Sequence, residues 1–500
     1  TAARPRRLPH GHKHKKQQRM QENRKCVMPD TNLPVIIAGA GPCGLVAALS
    51  LRRAGVPFVL YDRASAARLC SNAGSGIDMA PCAVNILEND LQVGREGLDR
   101  AMRPYEYMHM MDAEGKTLNT YRLKDLKYKI TDSRSFGFAN RSDLQHALLE
   151  ELGLKDKGGH IRDSKPEDAT ALHCGVAVTS YENHPDHVDV KLSNGTSVRG
   201  SALLACDGIH SAIREHMYRG TDDSLNYCGQ IAWWGKTTVE KGSTLDDELS
   251  KMAKENKMED GNVSLAMMGT KKKPGVFFSC EVAENVHAWV YVLKDKTPPA
   301  ANASNDLTRR GGVALTGEDK QKAMHKLVSS SPAVVRSIMM HASVDEVTRA
   351  GFFDRANQTV TYVDGRVALL GDAAHPQSPM MGQGANMAIV DGFVAATRIA
   401  AAVESENENA IEQALLAFDC DTRRKDNTAV IKKARRYGRW STTKNRFVNS
   451  VMRASVKYAP PSLMVNEIIS GDKSNRKFVA SMKKDMEANG FKVGTVDSSL

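Results

Sequence analysis

Residues 34–64, PVIIAGAGPCGLVAALSLRRAGVPFVLYDRA, constrain the fold more than any other stretch of this chain. Val35 to Ala38 is a short apolar run rich in β-branched residues, the pattern of a parallel strand buried on both faces. Gly39, Gly41 and Gly44 then give GxGxxG, with Ala40, Pro42 and Cys43 between them. Leu45 to Ala54 carries a helical pattern ended by Gly55, and Phe58 to Tyr61 reads as a second strand that closes on Asp62 and Arg63. Each piece has a job in holding a dinucleotide. Gly39 permits a tight turn, Gly41 leaves room for a pyrophosphate, Gly44 lets helix and strand pack closely, and Asp62 accepts hydrogen bonds from a ribose. The pyrophosphate meets the unpaired N–H groups and positive dipole of the helix N-terminus. A glycine-rich turn with nothing bound is the competing reading, and the motif alone does not choose between NAD and FAD.

Composition narrows the field. With 500 residues, 41% hydrophobic and 25% charged, the chain can bury a sizeable core in about two or three domains. No window offers the ~18 uninterrupted apolar residues of a membrane span. Nine cysteines lie scattered without zinc-like spacing, so neither a disulfide scaffold nor a metal module is expected, and a reducing, cytoplasmic setting is. The net charge of +11 is concentrated at the start: residues 1–30 hold nine Lys or Arg and two acids, a net of +7 that leaves +4 for the rest. Residues 1–33 read as a disordered basic extension. An organelle-targeting segment, a nucleic-acid or membrane arm, and upstream sequence foreign to the native protein compete for it. No nucleic-acid partner is expected for the folded body.

Two further segments carry the decision. Leu203 to Glu215, LLACDGIHSAIRE, is a buried apolar run followed by Asp207-Gly208, Ser211 and Arg214. Gly365 to Gly392, GRVALLGDAAHPQSPMMGQGANMAIVDG, is an apolar strand, Gly371-Asp372, a proline-rich turn, a GQGAN loop and a helix. In this order the three segments resemble the GxGxxG, DG and GD motifs of the single-component FAD-dependent aromatic hydroxylases, the class of para-hydroxybenzoate and salicylate hydroxylases. The resemblance spans roughly 34–424 and extends to Gly74-Ser75-Gly76-Ile77 with Pro81, Asn140 to Leu144, and Phe353-Asp354-Arg355. The chain departs from the pattern at Ser201, where the family usually has an acid, and at Trp234, where it often has an arginine.

The resemblance implies FAD as cofactor and NADH or NADPH as a transient co-substrate, since no second strand–GxGxxG–helix unit exists. It also implies O2 as oxidant and hydroxylation of an aromatic or other electron-rich small molecule through a flavin C4a-hydroperoxide, the flavin supplying the oxygen-transfer chemistry. Asp372 would take FAD hydroxyls, and Arg141 would offer its donor fork to a pyrophosphate or ribityl oxygen. Gly382, Gly384, Ala385 and Asn386 would present N–H groups to the flavin edge that becomes anionic on reduction. Asp207 matches the DG aspartate near the cofactor, and Pro379 the proline beside the flavin. No His or acid stands out as a base for deprotonating a phenol. Epoxidation of an isoprenoid or polyketide alkene, a reductase that needs no oxygen, and a binding protein with structural FAD are the rivals.

The fold class expected is α/β: a two-layer Rossmann-like FAD-binding domain from 34–103, 139–222 and 353–420, an interleaved β-rich substrate domain from 104–138 and 223–352, and a helical C-terminal extension over 421–500. Alternating runs such as Ala288-Trp289-Val290-Tyr291-Val292 suggest an antiparallel sheet over the flavin. Tyr105, Tyr227, Trp234 and Met380 are substrate-pocket candidates, with Trp233 beside them, although buried core is the stronger reading of the aromatics. His375 reads as structural. Residues 241–262 and 295–312 look like polar insertions, the first a solvated loop in preference to a lid helix. Eight Lys or Arg within 423–439 read as a solvated helix face, with peripheral membrane contact as the alternative. The oligomeric state is not legible.

Overall fold

A computed structural model describes residues 33–491 except 73, 75, 124–136, 157–159, 162–169, 271–274, 298–316, 356–359, 404, 406, 408, 461–462 and 464–469. The basic segment before residue 33, most of the 295–312 insertion and the last nine residues lie outside the described residues. The opening unit folds as its residues dictate: strand Val35–Ala38, helix Pro42–Arg53 and strand Phe58–Asp62. Strands Ala202–Ala205, Phe58–Asp62 and Thr170–Cys174 join Val35–Ala38 in a parallel arrangement, which Val367–Leu369 extends. A two-residue antiparallel strand, Val363–Asp364, closes that edge.

Helices Pro42–Arg53, Arg141–Glu151 and Gly384–Val403 cover one face of this sheet and share its largest core cluster, including Leu45, Leu148 and Val390. The Gly384–Val403 helix is long and apolar enough to cross a membrane, but 78% of that window is buried in the core. The other face carries a three-stranded antiparallel sheet, Val178–Asn183, Val188–Leu192 and Ser197–Gly200. Tyr181, Val188 and Val190 there pack against Ile36, Leu203 and Leu369. Three layers therefore replace the two expected, because the parallel strands are apolar on both faces and each face must be covered.

A seven-stranded sheet holds the second core, in the order Thr348–Arg355, Leu225–Thr238, Val286–Lys294, Val276–Ala283, Val263–Met268, Tyr107–Asp112, Thr117–Arg122. All its pairs are antiparallel except Val263–Met268 with Tyr107–Asp112. Successive residues point to opposite faces. Trp233 is thus buried beneath helices Gly317–Val328 and Ala333–Met340, while Trp234 lines a cavity on the far side.

Two expectations are corrected. Residues 244–255 form a helix capped by the Ser243 hydroxyl, which accepts the Asp246 N–H at 3.2 Å; Leu245 is buried, so the segment is not a solvated loop. Nor is the basic tract a purely solvated face. In helix Asp421–Ser441, Arg423 is buried, Arg435 grips the buried Asp354 at 2.7 and 2.8 Å, and Lys433 and Arg436 line the cavity.

Candidate active site

A cavity of about 1740 Å³ lies between the parallel sheet and the seven-stranded sheet. Its polar end is built on the glycine turn. Gly39 has φ +100°, and a Cβ there would stand 2.5 Å from the Cys206 carbonyl oxygen. At Gly44 a Cβ would fall 1.9 Å from the Gly39 oxygen, whereas at Gly41 it would meet nothing within 4 Å. No side chain caps the N-terminus of the Pro42–Arg53 helix. Its amides face the cavity at the one glycine with open space in front of it.

Carboxylates surround this turn. Asp62 accepts the Ala40 N–H through Oδ2 and the Ala64 N–H through Oδ1, both at 2.7 Å, and so fixes the turn as well as lining the cavity. Asp207 accepts the Ala212 N–H through Oδ2 at 2.9 Å, while its Oδ1 is buried with no hydrogen-bond partner. Burial raises the Asp207 pKa, against the lowering effect of the Ser211 hydroxyl and nearby amides. A buried carboxylate oxygen without a donor is the complement of a ligand hydroxyl. Asp372 follows Gly371, whose φ of +56° turns the chain so that the aspartate stands exposed on the cavity wall. Arg63, Arg141, Pro42, Cys43, Gly382, Gly384 and Ala385 line the same end, and Pro379, Met380, Trp234 and Tyr105 line the apolar end.

Three expected contacts fall outside the lining, and so does Gly44, which is enclosed by backbone where helix meets strand. Ala40 is fully buried, with its carbonyl held by Gln145 Nε2 at 2.7 Å. Asn386 is also buried: its Oδ1 accepts the Ala80 N–H and its Nδ2 donates to the Asp78 and Gly382 carbonyls, at 2.7, 2.7 and 2.8 Å. It shapes the loop instead of presenting itself to a ligand. Tyr227 turns away, donating to the Asp295 carbonyl at 3.2 Å and packing on Phe353.

Two buried arginines assemble the site. Arg214, fully buried, donates through Nη1 to the carbonyls of Ala373 and Ala374 and pairs with Asp223 at 2.6 and 2.9 Å. It thereby ties the DG segment to the GD turn. Arg423 pairs with Asp391 at 2.6 Å, and Asp391 also receives His375 Nε2 at 2.5 Å and the Gly371 N–H at 3.0 Å. Burial alone would push Asp391 up, but the Arg423 and His375 charges hold it at about 2. His375 is structural, as its place in the loop suggested.

One cavity residue escaped the sequence reading, whereas its partner Tyr105 was among the pocket candidates. Asp78, on strand Gly76–Met79, lines the cavity and accepts the Tyr105 hydroxyl at 3.1 Å. Its Oδ2 lies so close beneath Gly382 that a Cβ there would come within 2.4 Å of it. Burial pushes the Asp78 carboxyl up to about 7, against the lowering effect of the Tyr105 hydrogen bond. The GSGID run was visible in the sequence, but nothing local marked its acid as buried. Away from the cavity, His184, His187 and Asp189 bring possible ligand atoms within 4.8 Å of one another. There Asp189 is already paired with Arg199 at 3.1 Å, and His187 with Asp186 at 2.7 Å.

The uncapped helix end, the open space at Gly41 and the orphan oxygen of Asp207 fit FAD, with Asp62, Asp207 and Asp372 as hydroxyl acceptors and Arg141 as a cation for its phosphates. Fold and cavity together define an FAD-dependent oxidoreductase with room for a second, apolar ligand. The chain belongs to the FAD binding domain family, whose model matches residues 32–422. It is 27% identical over 372 residues to the 3-amino-4-hydroxybenzoate 2-monooxygenase PtmB3 of Streptomyces platensis, covering 74% of this chain and 80% of that one. The FAD-dependent urate hydroxylase of Klebsiella pneumoniae is 26% identical over 72% of this chain and 80% of its own length. Among solved structures, Klebsiella pneumoniae HpxO complexed with FAD and uric acid superposes with a TM-score of 0.67 at 20% identity, over 88% of this chain and 97% of that one. The protein is accordingly an FAD-dependent enzyme of the monooxygenase type.

Proposed function

We propose that this monooxygenase hydroxylates a bulky, lipophilic aromatic bearing an ionisable hydroxyl, with Asp78 as its proton acceptor. Bound FAD supplies the redox chemistry, passing reducing equivalents from NAD(P)H to O2 and one oxygen atom to the substrate. The chain's own contribution is position, dryness and proton handling. Met108, Met110, Trp234, Phe278, Val290 and Phe352 give the cavity an apolar wall against which an aromatic ring packs and from which water is excluded. Trp234, where the resembling family often carries arginine, stacks toward Phe352 at 6.5 Å and favours rings over carboxylates. Relatives are named for a hydroxybenzoate and for urate; the apolar wall here supports a less polar substrate.

The observation that carries the proposal is the Asp78 carboxyl, hydrogen-bonded to Tyr105 and set directly under Gly382. Ionised, it accepts a phenolic proton and so raises electron density in the ring that is to be hydroxylated. An alkene has no such proton to give, which favours hydroxylation over epoxidation. The test is oxygen uptake and NAD(P)H oxidation by the yellow protein across a panel of phenols, benzoates and polyenes, scored as product against hydrogen peroxide. Tight coupling is expected with a lipophilic phenol. Turnover that continues without oxygen makes the protein a reductase and sinks the proposal.

Asp78 also sets a pH dependence whose two signs are opposed. The carboxyl must be ionised to act, so kcat should climb as pH rises through about 7. Asp78→Asn should flatten that profile and lower kcat by about 10²- to 10⁴-fold. A carboxyl raised in the folded state contributes stability that is complete below its unfolded pKa of about 4 and is lost as pH climbs through the folded value near 7. Asp78→Asn should therefore raise the melting temperature at a pH near 8 and change it little near 5. A packing residue would move neither profile this way.

A further inference from the structure

We infer that helix Arg446–Tyr458 docks the enzyme on an anionic phospholipid surface and opens the substrate cavity toward it, an inference that rests on the lipophilic-substrate reading above. The helix is fixed in the protein by one face only. The Val456 carbonyl accepts the Tyr121 hydroxyl at 2.7 Å and Asn119 Nδ2 at 3.1 Å, Asn449 is buried, and Asn445 caps the N-terminus through the amides of Phe447 and Val448. At about 100° per residue, Val448, Asn449, Met452 and Val456 share this inner sector.

The outer surface has two more sectors. Phe447, Val451, Ala454 and Tyr458 recur at i, i+4, i+7 and i+11 and fall within about 60° of arc. Phe447 is 77% exposed, Val451 50% and Tyr458 74%. Arg446, Arg453 and Lys457 form a row along the edge of this stripe. Six large apolar residues are exposed among the described residues; five of them, Trp440, Phe447, Val451, Tyr458 and Leu463, belong to this helix and its two flanks. An ordinary soluble surface scatters such residues singly.

Charge selects the occupant. From Asn427 to Asn466 the sequence contains nine Lys or Arg and no Asp or Glu. Of these, Arg435 is committed to Asp354, and it lies outside the row Arg446, Arg453 and Lys457 that edges the stripe. An apolar stripe edged by cations is what an interfacial helix presents to anionic lipid, with the basic side chains reaching to the headgroups and Phe447, Trp440 and Tyr458 settling at the acyl boundary. Continuity supplies the purpose: Trp440, Phe447, Val451 and Leu463 also line the cavity, so the side chains that would enter lipid form the rim of the substrate chamber. A ligand partitioned in the bilayer can pass this rim without crossing bulk water.

The test is co-sedimentation of the full, FAD-loaded chain with vesicles, without NAD(P)H or substrate. Vesicles of phosphatidylcholine alone are compared with vesicles holding about 30% phosphatidylglycerol, at roughly 0.1 M and 0.5 M salt. Binding to the anionic vesicles should exceed that to the neutral ones at least tenfold and fall at the higher salt. Phe447→Ser with Tyr458→Asp, and separately Arg446→Glu with Lys457→Glu, should each weaken it by tenfold or more, with flavin absorbance and melting temperature preserved because these side chains are exposed. Equal binding to both vesicles, no binding, or wild-type binding by both variants overturns the inference. Self-association in light scattering that the Phe447→Ser, Tyr458→Asp variant abolishes, without vesicle binding, assigns the face to a second copy and also overturns it. Because no turnover is involved, lost docking with oxygen uptake intact removes this inference alone, whereas docking without oxygen uptake removes the activity reading.

Discussion

Gly44→Val is expected to give colourless, largely insoluble protein. The new Cβ would stand 1.9 Å from the Gly39 carbonyl oxygen, which is backbone and cannot rotate away, so the helix must leave the strand that it covers. Gly41→Ala supplies the contrast. Its Cβ meets nothing within 4 Å in the folded chain, so circular dichroism should match the parent while FAD affinity falls tenfold or more, about 1.4 kcal/mol. If Gly41→Ala binds FAD as well as the parent does, the pyrophosphate does not approach this turn and the placement of the cofactor fails.

The second large effect is expected at Arg423→Leu. Arg423 and Asp391 are both buried, and removing the arginine strands a carboxylate inside the protein, at a cost of about 3–5 kcal/mol. Urea unfolding at neutral pH should show that loss, and FAD should bind more weakly because Asp391 also holds the Gly371 N–H. The sign with pH follows from the depressed carboxyl. Asp391, held at about 2, contributes stability that is present above its unfolded pKa near 4 and lost as pH falls toward 2. Without Arg423 the carboxyl rises, and acid unfolding should begin at higher pH. Arg423→Leu combined with Asp391→Leu should lose less than Arg423→Leu alone; an equal or greater loss would mean that cavity formation, not the stranded charge, dominates.

Both predictions fall on residues that differ in how visible they were. Gly39, Gly41 and Gly44 announced their roles because a tight turn, a cofactor approach and a helix–strand contact each exclude a side chain, and residue type records that locally. Asp62, Asp207 and Asp372 were legible because each ends an apolar strand, where a carboxylate has little else to do. Asn386 was placed against the flavin edge by its position in the GQGAN loop, yet its side chain is turned inward by its bonds to Ala80, Asp78 and Gly382. The Val178–Gly200 sheet passed unremarked although Val188, Val190 and Leu192 alternate with polar neighbours. The Ser243-to-Asp246 cap of the 244–255 helix was written in a segment dismissed as polar.

By itself the sequence determined that a dinucleotide is held and the frame that holds it, because the phosphate turn and the buried parallel strands impose backbone geometry that only certain residues satisfy. Only the tertiary structure decided the chemistry of the chamber. Asp78 meets Tyr105 and Gly382, Arg423 meets Asp391, and the Phe447 stripe meets the cavity rim across chain separations that carry no local periodicity. Burial then changes what those groups do. A carboxylate reads alike in any sequence, and is pushed up toward neutrality or held as a fixed anion according to what the fold places around it.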